Sequence, residues 1–425
     1  ACGEDDYCQG SDLRKSYHMK MLVLSLLRVN LAIGLGLNVV SASIAGDWPI
    51  FRGPDLNGIS REEGLPAEGT AKVIWKANLG LGYSAPVISG GSVIISGHDG
   101  KETDTLFCFD EVTGEERWAR SYPQPLGDLY FQGGTTGTAT IEGDRVYHVA
   151  RQGELVCLDL TTGQVIWEKH LKEDFGYSMP TWGFSGAPLP KGDHLYVTAG
   201  ESGLALKKSD GSSVWQSEDE EAGYSTPYPF EKNGKLFLIF SNKRAYVCVE
   251  AETGMPVWEY RWMTRYGVNS ADPIVSGDYI FISSGYGKGA VLAKWTGEGD
   301  LKRVWQNRDM KTQMNAVILV GGYLYGVDGN ESQDGTGLKC LDMMTGETKW
   351  LEESVGHGTA TVVGDQLLVL SEQGTLQIAK VSPNGYEPTL TQEVVSPRVW
   401  TVPVFANGRV YARNGGGDFV ALEIK

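Results

Sequence analysis

The sequence has little positive charge. Its 37 lysine and arginine residues are outnumbered by 53 aspartate and glutamate residues, and the formal net charge is −16. Residues 1–45 contain four acidic and four basic residues, so the whole excess lies in residues 46–425. An acidic body repels phosphate groups, which argues against a nucleic-acid partner and against docking on anionic lipid. Beyond residue 46 the sequence also has no apolar run long enough to cross a membrane.

The sequence lacks the short motifs of several enzyme classes. It contains no Gly-x-Ser-x-Gly elbow, no phosphate-binding P-loop and no His-Glu-x-x-His helix, so hydrolase and nucleotide-binding functions have no support. Its six histidines and six cysteines offer few metal ligands, and no Cys-x-x-Cys pair occurs. Glycine is abundant, with 56 residues, and together with frequent Val, Ile, Tyr and Trp this is typical of short strands joined by tight turns.

The N-terminal region has the pattern of a targeting segment. A basic start at Met19 leads into a mostly apolar run that ends in small residues, which is typical of a secretory signal peptide. We predict cleavage after Ala45 or, as a second choice, after Ala42. The mature chain is then periplasmic or extracellular, with no stable membrane insertion. The alternative is a retained N-terminal anchor, which Arg28 within the apolar run disfavours.

A segment that ends in tryptophan recurs along the chain. Its clearest copy runs from Leu106 to Trp118 and contains an Asp-x-x-Thr-Gly turn. Each copy predicts a β-hairpin, because the glycine can adopt positive φ and the Asp and Thr side chains can bond the turn amides. A second hairpin precedes it, as at Pro86 to Ser96, so each repeat predicts the four strands of one propeller blade. The repeated tryptophans are Trp75, Trp118, Trp167, Trp215, Trp258, Trp305 and Trp350.

The number of blades follows from the spacing of these tryptophans. Intervals of 43 to 49 residues give six blades between the first and the last. Residues 351–395 make a seventh blade, in which Leu390 replaces the tryptophan, and residues 399–425 supply three strands only. The missing strand is available at residues 73–77, and its pairing would close the ring and remove the open edges. The sequence therefore predicts an all-β fold, an eight-bladed β-propeller of four-stranded antiparallel blades, closed by the N-terminal strand.

The predicted organisation has four parts. Residues 1–18 are interpreted as an extension or gene-model artefact, and residues 19–45 as the signal peptide. A lead-in segment follows over residues 46–72, and the propeller occupies residues 73–425. One domain of this kind is expected to be a monomer.

Four cysteines share one position in the repeat. Each lies six residues before a turn glycine, where the third blade has Ala205. A position that accepts either Cys or Ala is a small, buried core position. Equivalent positions in different blades are too far apart for a disulfide, so we predict free, buried thiols. The four residues are Cys108, Cys157, Cys248 and Cys340.

The Asp-x-x-Thr-Gly-x-x-x-Trp repeats resemble the pyrroloquinoline-quinone (PQQ)-like propeller repeat, also called the tryptophan-docking motif. The resemblance covers about residues 47–425. The stretch from Asp47 to Gly58 and the ending from Trp400 to Arg413 are similar to the first and last segments of secreted bacterial PQQ-repeat, BamB-like proteins. The resemblance implies that the repeated tryptophans pack between neighbouring blades.

The resemblance implies two competing functions. The first is an exported, non-catalytic binding or assembly scaffold with a protein or peptide partner, or a small planar polar ligand. The second is a quinoprotein dehydrogenase that uses PQQ and calcium to oxidise an alcohol, sugar or polymer. The adjacent cysteine pair of alcohol-oxidising quinoproteins is absent here, and no complete set of calcium ligands and catalytic base matches this chain. We therefore favour the scaffold, with no catalytic residues and no cofactor assigned, and PQQ with calcium remains the alternative.

A candidate ligand site lies where the innermost strand of each blade begins, near the central axis. The residues expected there combine flat aromatic rings with a base, an acid and amides, which suits a planar polar ligand. Their simpler interpretation is that they fill the channel and bond each other and water. The candidate residues are Trp182, Asn269, Asp272, Asn315, His357, Arg398 and Trp400, with Tyr83, Thr136 and Tyr224 at equivalent positions.

One loop is rich in oxygen ligands. Asp328, Asn330 and Asp334 could hold calcium, but the loop lacks the spacing and terminal glutamate of an EF-hand. We interpret it as an elongated, exposed hairpin. No metal site is assigned, and this loop is only a weak candidate for one.

Overall fold

Short strands account for nearly all of the regular structure. The computed structural model describes residues 46–129, 131–329 and 335–425, so the predicted signal peptide, the extension before it, Asn330 and Asp334 lie outside the described residues. Within these ranges no helix is long and apolar enough to cross a bilayer. The elements in chain order are β1 (Ile59–Ser60), β2 (Ala71–Asn78), β3 (Val87–Ser89), β4 (Ser92–His98), β5 (Thr103–Asp110), β6 (Glu116–Pro123), β7 (Thr140–Glu142), β8 (Arg145–Val149), β9 (Glu154–Asp159), β10 (Val165–His170), β11 (Leu189–Lys191), β12 (His194–Val197), β13 (Leu204–Lys207), β14 (Ser213–Gln216), β15 (Tyr228–Lys232), β16 (Lys235–Ser241), β17 (Ala245–Glu250), β18 (Pro256–Arg261), β19 (Ile274–Ser276), β20 (Tyr279–Ser284), β21 (Gly289–Lys294), β22 (Lys302–Asn307), β23 (Ile318–Val320), β24 (Tyr323–Asp328), β25 (Gly337–Asp342), β26 (Thr348–Glu352), the 3₁₀ helix Glu353–Val355, β27 (Thr359–Val363), β28 (Gln366–Leu370), β29 (Thr375–Lys380), β30 (Pro388–Glu393), β31 (Val404–Ala406), β32 (Arg409–Arg413) and β33 (Asp418–Ile424).

The strands form eight antiparallel four-stranded sheets arranged as the blades of a ring. Blades 1 to 7 each use four consecutive strands, from β3–β6 for blade 1 to β27–β30 for blade 7. Blade 7 carries an additional strand, because β1 pairs with β27 in parallel. The predicted fold is confirmed, whereas β1 was not predicted.

Blade 8 joins the two ends of the described chain. It consists of β31, β32 and β33 together with β2, which pairs antiparallel with β33 from Ala71 opposite Ile424 to Asn78 opposite Asp418. The predicted closure by the N-terminal strand is confirmed. This pairing places β33 between β32 and β2, so β33 has a hydrogen-bonded neighbour on both sides.

The repeated tryptophans connect each blade to the next. The indole N–H groups of six of them donate to backbone carbonyls of the following blade over 2.8–3.0 Å, beginning with Trp75 to Glu111 and Trp118 to Leu160. Trp258 differs, since its indole N–H has no partner among the described residues, and its ring instead lies 6.5 Å from that of Trp295. In blade 7 the buried Leu390 occupies this position.

The four repeated cysteines lie opposite the tryptophans of their own blades, as Cys108 does opposite Trp118 and Cys340 opposite Trp350. All four are free and buried, as predicted. Burial raises the pKa of Cys108, and of Cys157 and Cys340 likewise, to about 11, so these thiols stay protonated and unreactive. The cysteine position requires a small side chain, because a larger one would crowd the tryptophan indole on the next strand.

The turn glycines fit against the tryptophan of the preceding blade, which leads to a first prediction. A Cβ on Gly114, whose φ is +73°, would lie 2.5 Å from the Trp75 ring. Gly143 has a similar φ of +59° but nothing within 4 Å of its Cβ position. We expect Gly143→Ala to cost about 1–2 kcal/mol through backbone strain alone. Gly114→Ala should cost about 1–3 kcal/mol more, because overpacking adds to that strain.

Guanidinium unfolding of both variants measures this difference. Equal losses of stability in Gly114→Ala and Gly143→Ala would contradict the contact between the turn and the tryptophan of the neighbouring blade.

The residues before β2 cross one end of the ring. We call residues 46–63 the plug segment. Its backbone forms a bridge between Trp48 and Ile88 of blade 1, and the carbonyl of Pro49 accepts from Ile141 of blade 2. Further along the plug segment, β1 pairs with β27 of blade 7.

The plug segment also contacts blades 3, 4, 6 and 8. Ile50 and Leu56 share a hydrophobic cluster with residues of blades 3 and 4. Arg52 bonds the carbonyl of Val317 at the start of blade 6 over 2.7 Å, and the Ser60 hydroxyl donates to Phe405 of blade 8. Because this segment contacts blades all around the ring, it closes the axis at the end where the innermost strands finish.

Candidate functional site

A cavity of about 290 Å³ lies on the axis between the plug segment and the loops that enter the innermost strands. Its walls come from the loops that enter the innermost strand of each of the eight blades, and Phe51 of the plug segment forms its floor. Residues two apart in these loops, such as Thr136 and Thr138, both line it, because alternate side chains of extended backbone point the same way. The ring geometry therefore brings distant parts of the chain to one site.

Aromatic rings make up much of the wall. Tyr83 and Trp400 are stacked, with ring centroids 4.9 Å apart and planes inclined by 23°. Trp182 and Tyr224 meet edge to face at 6.0 Å. Such flat surfaces can hold a ring-shaped ligand by its faces. The aromatic residues that line the cavity are Phe51, Tyr83, Phe131, Trp182, Tyr224, Tyr286 and Trp400.

The polar groups of the wall are hydroxyls, amides and one imidazole. Burial lowers the pKa of His357 to about 4, although Glu372 acts in the opposite direction, so the imidazole is neutral at pH 7. Three of the lining residues have a buried polar atom without a hydrogen-bond partner in the described part of the chain. These atoms are Thr136 Oγ1, Gln313 Oε1 and His357 Nδ1.

Four of the seven residues predicted from the sequence line this cavity, namely Trp182, Asn315, His357 and Trp400. The Asn315 amide donates to the carbonyl of Trp400 over 3.1 Å, which joins the loops that enter blades 6 and 8. Arg398 is not a lining residue, and its guanidinium lies 5.3 Å from the centroid of the Trp400 ring.

Asn269 and Asp272 lie outside the cavity. Asn269 is fully buried and donates to the carbonyls of Asn242 and Trp262, so its amide holds neighbouring loops together. Asp272 accepts from the backbone N–H of Thr226 over 2.8 Å, and its other oxygen lies 3.9 Å from Arg52 of the plug segment. Burial raises the pKa of Asp272 to about 6, while the nearby Arg52 acts to lower it.

Most of the other lining residues were not predicted from the sequence, and four of them show why. Gln313 lies two positions before Asn315, so the alternation of extended backbone could have identified it. Phe131 and Tyr286 lie in loops whose course the repeat does not specify, and Phe51 reaches the site only through the path of the plug segment.

The candidate calcium loop is only partly described. Asp328 is buried at the end of β24 and forms ion pairs with Lys339 and Lys311, so it does not lie in an exposed hairpin loop as predicted. Asn330 and Asp334 lie outside the described residues. Among the described residues, no group of three or more His, Cys, Asp or Glu side chains is arranged to hold a metal ion.

PQQ and calcium do not fit the groups around the cavity. PQQ is a tricarboxylic acid, and calcium takes several oxygen ligands that include carboxylates. No lysine, arginine, aspartate or glutamate is found among the described residues that line the cavity. Placing an anionic cofactor and a divalent ion there would desolvate charge without partners from the wall.

Comparison with known proteins links this architecture to one family and several solved structures. A family model described as outer membrane protein assembly factor BamB matches residues 131–352. Comparison with curated proteins gives no significant sequence match.

The fold is similar to that of BamB from Moraxella catarrhalis, with a TM-score of 0.61 and 17% identity over 84% of this chain and 98% of that one. It is also similar to a europium-containing methanol dehydrogenase, with a TM-score of 0.63 and 11% identity over 90% of this chain and 98% of that one. The quinohemoprotein alcohol dehydrogenase from Comamonas testosteroni has a TM-score of 0.62 and 14% identity, with 89% of this chain and 80% of that one covered. At these identities the similarity concerns the fold alone.

Proposed function

The chain belongs to the family described as outer membrane protein assembly factor BamB, and from this premise we propose that it is an exported, non-catalytic binding scaffold. Its place of action is the periplasm or the extracellular space. The observation that carries the proposal is the described lining of the axial cavity, which offers ring faces and hydrogen bonds but no Asp, Glu, Lys or Arg to hold PQQ and calcium.

Exposed apolar side chains in the loops between blades support a role for a protein or peptide partner. Leu129, Met179, Met263 and Tyr266 are between 43% and 50% exposed. They lie in the loops between blades that also line the cavity. Exposed apolar and aromatic side chains around a concave site are typical of a surface that a partner covers. The acidic exterior keeps such a scaffold soluble and away from polyanions.

Reconstitution with PQQ and calcium tests the scaffold against a dehydrogenase. The full chain is incubated with both, dialysed, and assayed for retained quinone absorbance and for dye-linked oxidation of alcohols and sugars. We expect neither retained quinone nor turnover, because the described lining supplies no counter-charge for the cofactor. A PQQ-dependent alcohol dehydrogenase treated identically is the positive control. Retained quinone together with substrate-dependent dye reduction would overturn the proposal.

A further inference from the structure

We propose that the axial cavity is a binding site for one uncharged sugar ring. This inference rests on the proposed binding function, since it names the class of ligand that the scaffold holds. The ligand is bound and not oxidised. Four properties of the cavity carry the inference: its flat aromatic surfaces, its polar atoms without partners, the absence of charge in its described lining, and its size.

The aromatic residues offer surfaces for a saturated ring. Tyr83 and Trp400 form one stacked pair, and Trp182 with Tyr224 forms a second group whose ring planes are inclined by 71°. The faces of a pyranose carry C–H groups, which pack against flat aromatic surfaces, while its hydroxyls project around the edge. An apolar ring would use the same surfaces, so this feature alone does not select a sugar.

The polar atoms of the wall favour a sugar over an apolar ring. Thr136 Oγ1, Gln313 Oε1 and His357 Nδ1 are recessed in walls built by blades 2, 6 and 7, and each has no partner among the described residues. A buried polar group left unpaired is costly. An apolar side chain would leave all three atoms unpaired, whereas hydroxyls around the edge of a sugar can reach different sides of the cavity. Thr138, Ser185, Thr226, Ser270, Asn315 and Thr401 add further neutral hydroxyl and amide groups.

The absence of charged side chains from the described lining restricts the ligand to uncharged sugars. His357 is neutral near pH 7, because burial lowers its pKa to about 4. The rest of the described lining has no ionisable acid or base in its charged form. A uronic acid, an amino sugar or a sugar phosphate would have to shed water from its charge without gaining an opposite charge.

The size of the site restricts the ligand to one ring. Pockets for drug-sized ligands span about 300–1,000 Å³, and this cavity has about 290 Å³. It is closed below by the plug segment and open above, so further units of an oligosaccharide would extend out of the mouth across the rim.

Titration of the full chain with small sugars tests the proposal. The neutral probes are D-glucose, D-galactose, N-acetyl-D-glucosamine and cellobiose. The charged probes are D-glucuronate and D-glucosamine, and the apolar ring is benzyl alcohol. We expect saturable quenching of tryptophan fluorescence by at least one neutral sugar, with heat release in calorimetry. The charged analogues should bind tenfold or more weakly. Saturation by benzyl alcohol or a charged probe alone, or by none of the probes, would overturn the inference.

Two nearly isosteric substitutions test the role of the unpaired atoms. Thr136→Val removes the recessed Oγ1 and keeps the shape of the wall. Gln313→Leu removes the recessed Oε1 together with the Nε2 group that donates to Tyr286. We expect each to weaken neutral-sugar binding roughly fivefold or more, because a ligand hydroxyl loses its partner. Binding of benzyl alcohol should not weaken. The matched controls are Thr348→Val and Gln306→Leu on exposed outer strands, which should bind the sugar as the parent does.

The outcomes separate this inference from the proposed function. Unchanged sugar affinity in the cavity variants, with circular dichroism like that of the parent, would remove the sugar site and leave the scaffold in place. Retained PQQ with turnover in the reconstitution assay would remove the scaffold itself.

Discussion

Arg52→Leu is expected to lower the free energy of unfolding by about 3–5 kcal/mol, because removing one partner of a buried ion pair leaves the other uncompensated. Arg52 is 3% exposed in the plug segment, 3.9 Å from a carboxylate oxygen of Asp272. Asp272 belongs to the loop that enters blade 5 and is itself buried. Denaturant unfolding at pH 7 measures the loss.

This loss should depend on pH. Burial already raises the pKa of Asp272 to about 6 in the folded protein, above its ordinary value of 3.8, and Arg52 acts to lower it. Without Arg52 the folded-state pKa rises further, so the folded variant retains a proton that the unfolded chain has released. The stability of the variant therefore falls as the pH rises from the ordinary pKa of 3.8 towards the raised folded-state pKa. We expect the deficit of the variant to be smaller at pH 5 than at pH 8.

Two further variants provide controls for Arg52→Leu. The double variant Arg52→Leu/Asp272→Leu should regain most of the stability, because apolar replacement of a buried ion pair is often neutral. Arg61 forms an ion pair with Asp55 in the same segment, and both side chains are about half exposed. Arg61→Leu should therefore change stability by less than about 1 kcal/mol. Equal effects of Arg52→Leu and Arg61→Leu would contradict the structural role of the buried pair.

Trp75→Ala is expected to destabilise the protein by about 3–5 kcal/mol, in the range of large-to-small changes at buried aromatic positions. Trp75 lies on β2, the strand that closes the ring, and is 8% exposed. Its ring meets Phe419 of blade 8 edge to face at 5.4 Å, and Phe109 of blade 1 at 6.0 Å. Its indole N–H donates across the seam to the carbonyl of Glu111. The substitution therefore removes packing on both sides of the seam.

Ile74→Ala is the matched control for the seam. Ile74 is the neighbouring residue on β2, at the irregularity in its pairing with β33, and its side chain is 40% exposed. Its loss should cost less than about 1 kcal/mol, since little apolar area is removed from the interior. Guanidinium unfolding followed by circular dichroism compares the two variants. Similar midpoints would mean that the closing strand contributes little to the stability of the ring.

The repeat made most of the fold predictable. Strand alternation, turn glycines and regularly spaced tryptophans are local signals, and each recurs often enough to compensate for one weak copy such as Leu390. The seam was predictable for a different reason. Three strands at one end and one at the other are complete only when they share a sheet, and antiparallel pairing of β2 with β33 satisfies both.

The plug segment was not predictable from the repeat. Its strand β1 has only two residues, and its contacts with Val317, Val362 and Phe405 span hundreds of positions in sequence. No local period indicates such contacts, since they depend on how the ring curves. The same curvature explains why Asp272 lies outside the cavity near Arg52, while Gln313 lines the wall.

The sequence by itself determined that the chain forms an eight-bladed ring and where its two ends meet, because both follow from short-range pattern and from the pairing needs of edge strands. Only the tertiary structure decided that the axis is closed at one end by residues 46–63 and open at the other as an uncharged aromatic cavity. That outcome depends on side chains from all eight blades converging on one axis, and their directions are set by the curvature of the whole ring.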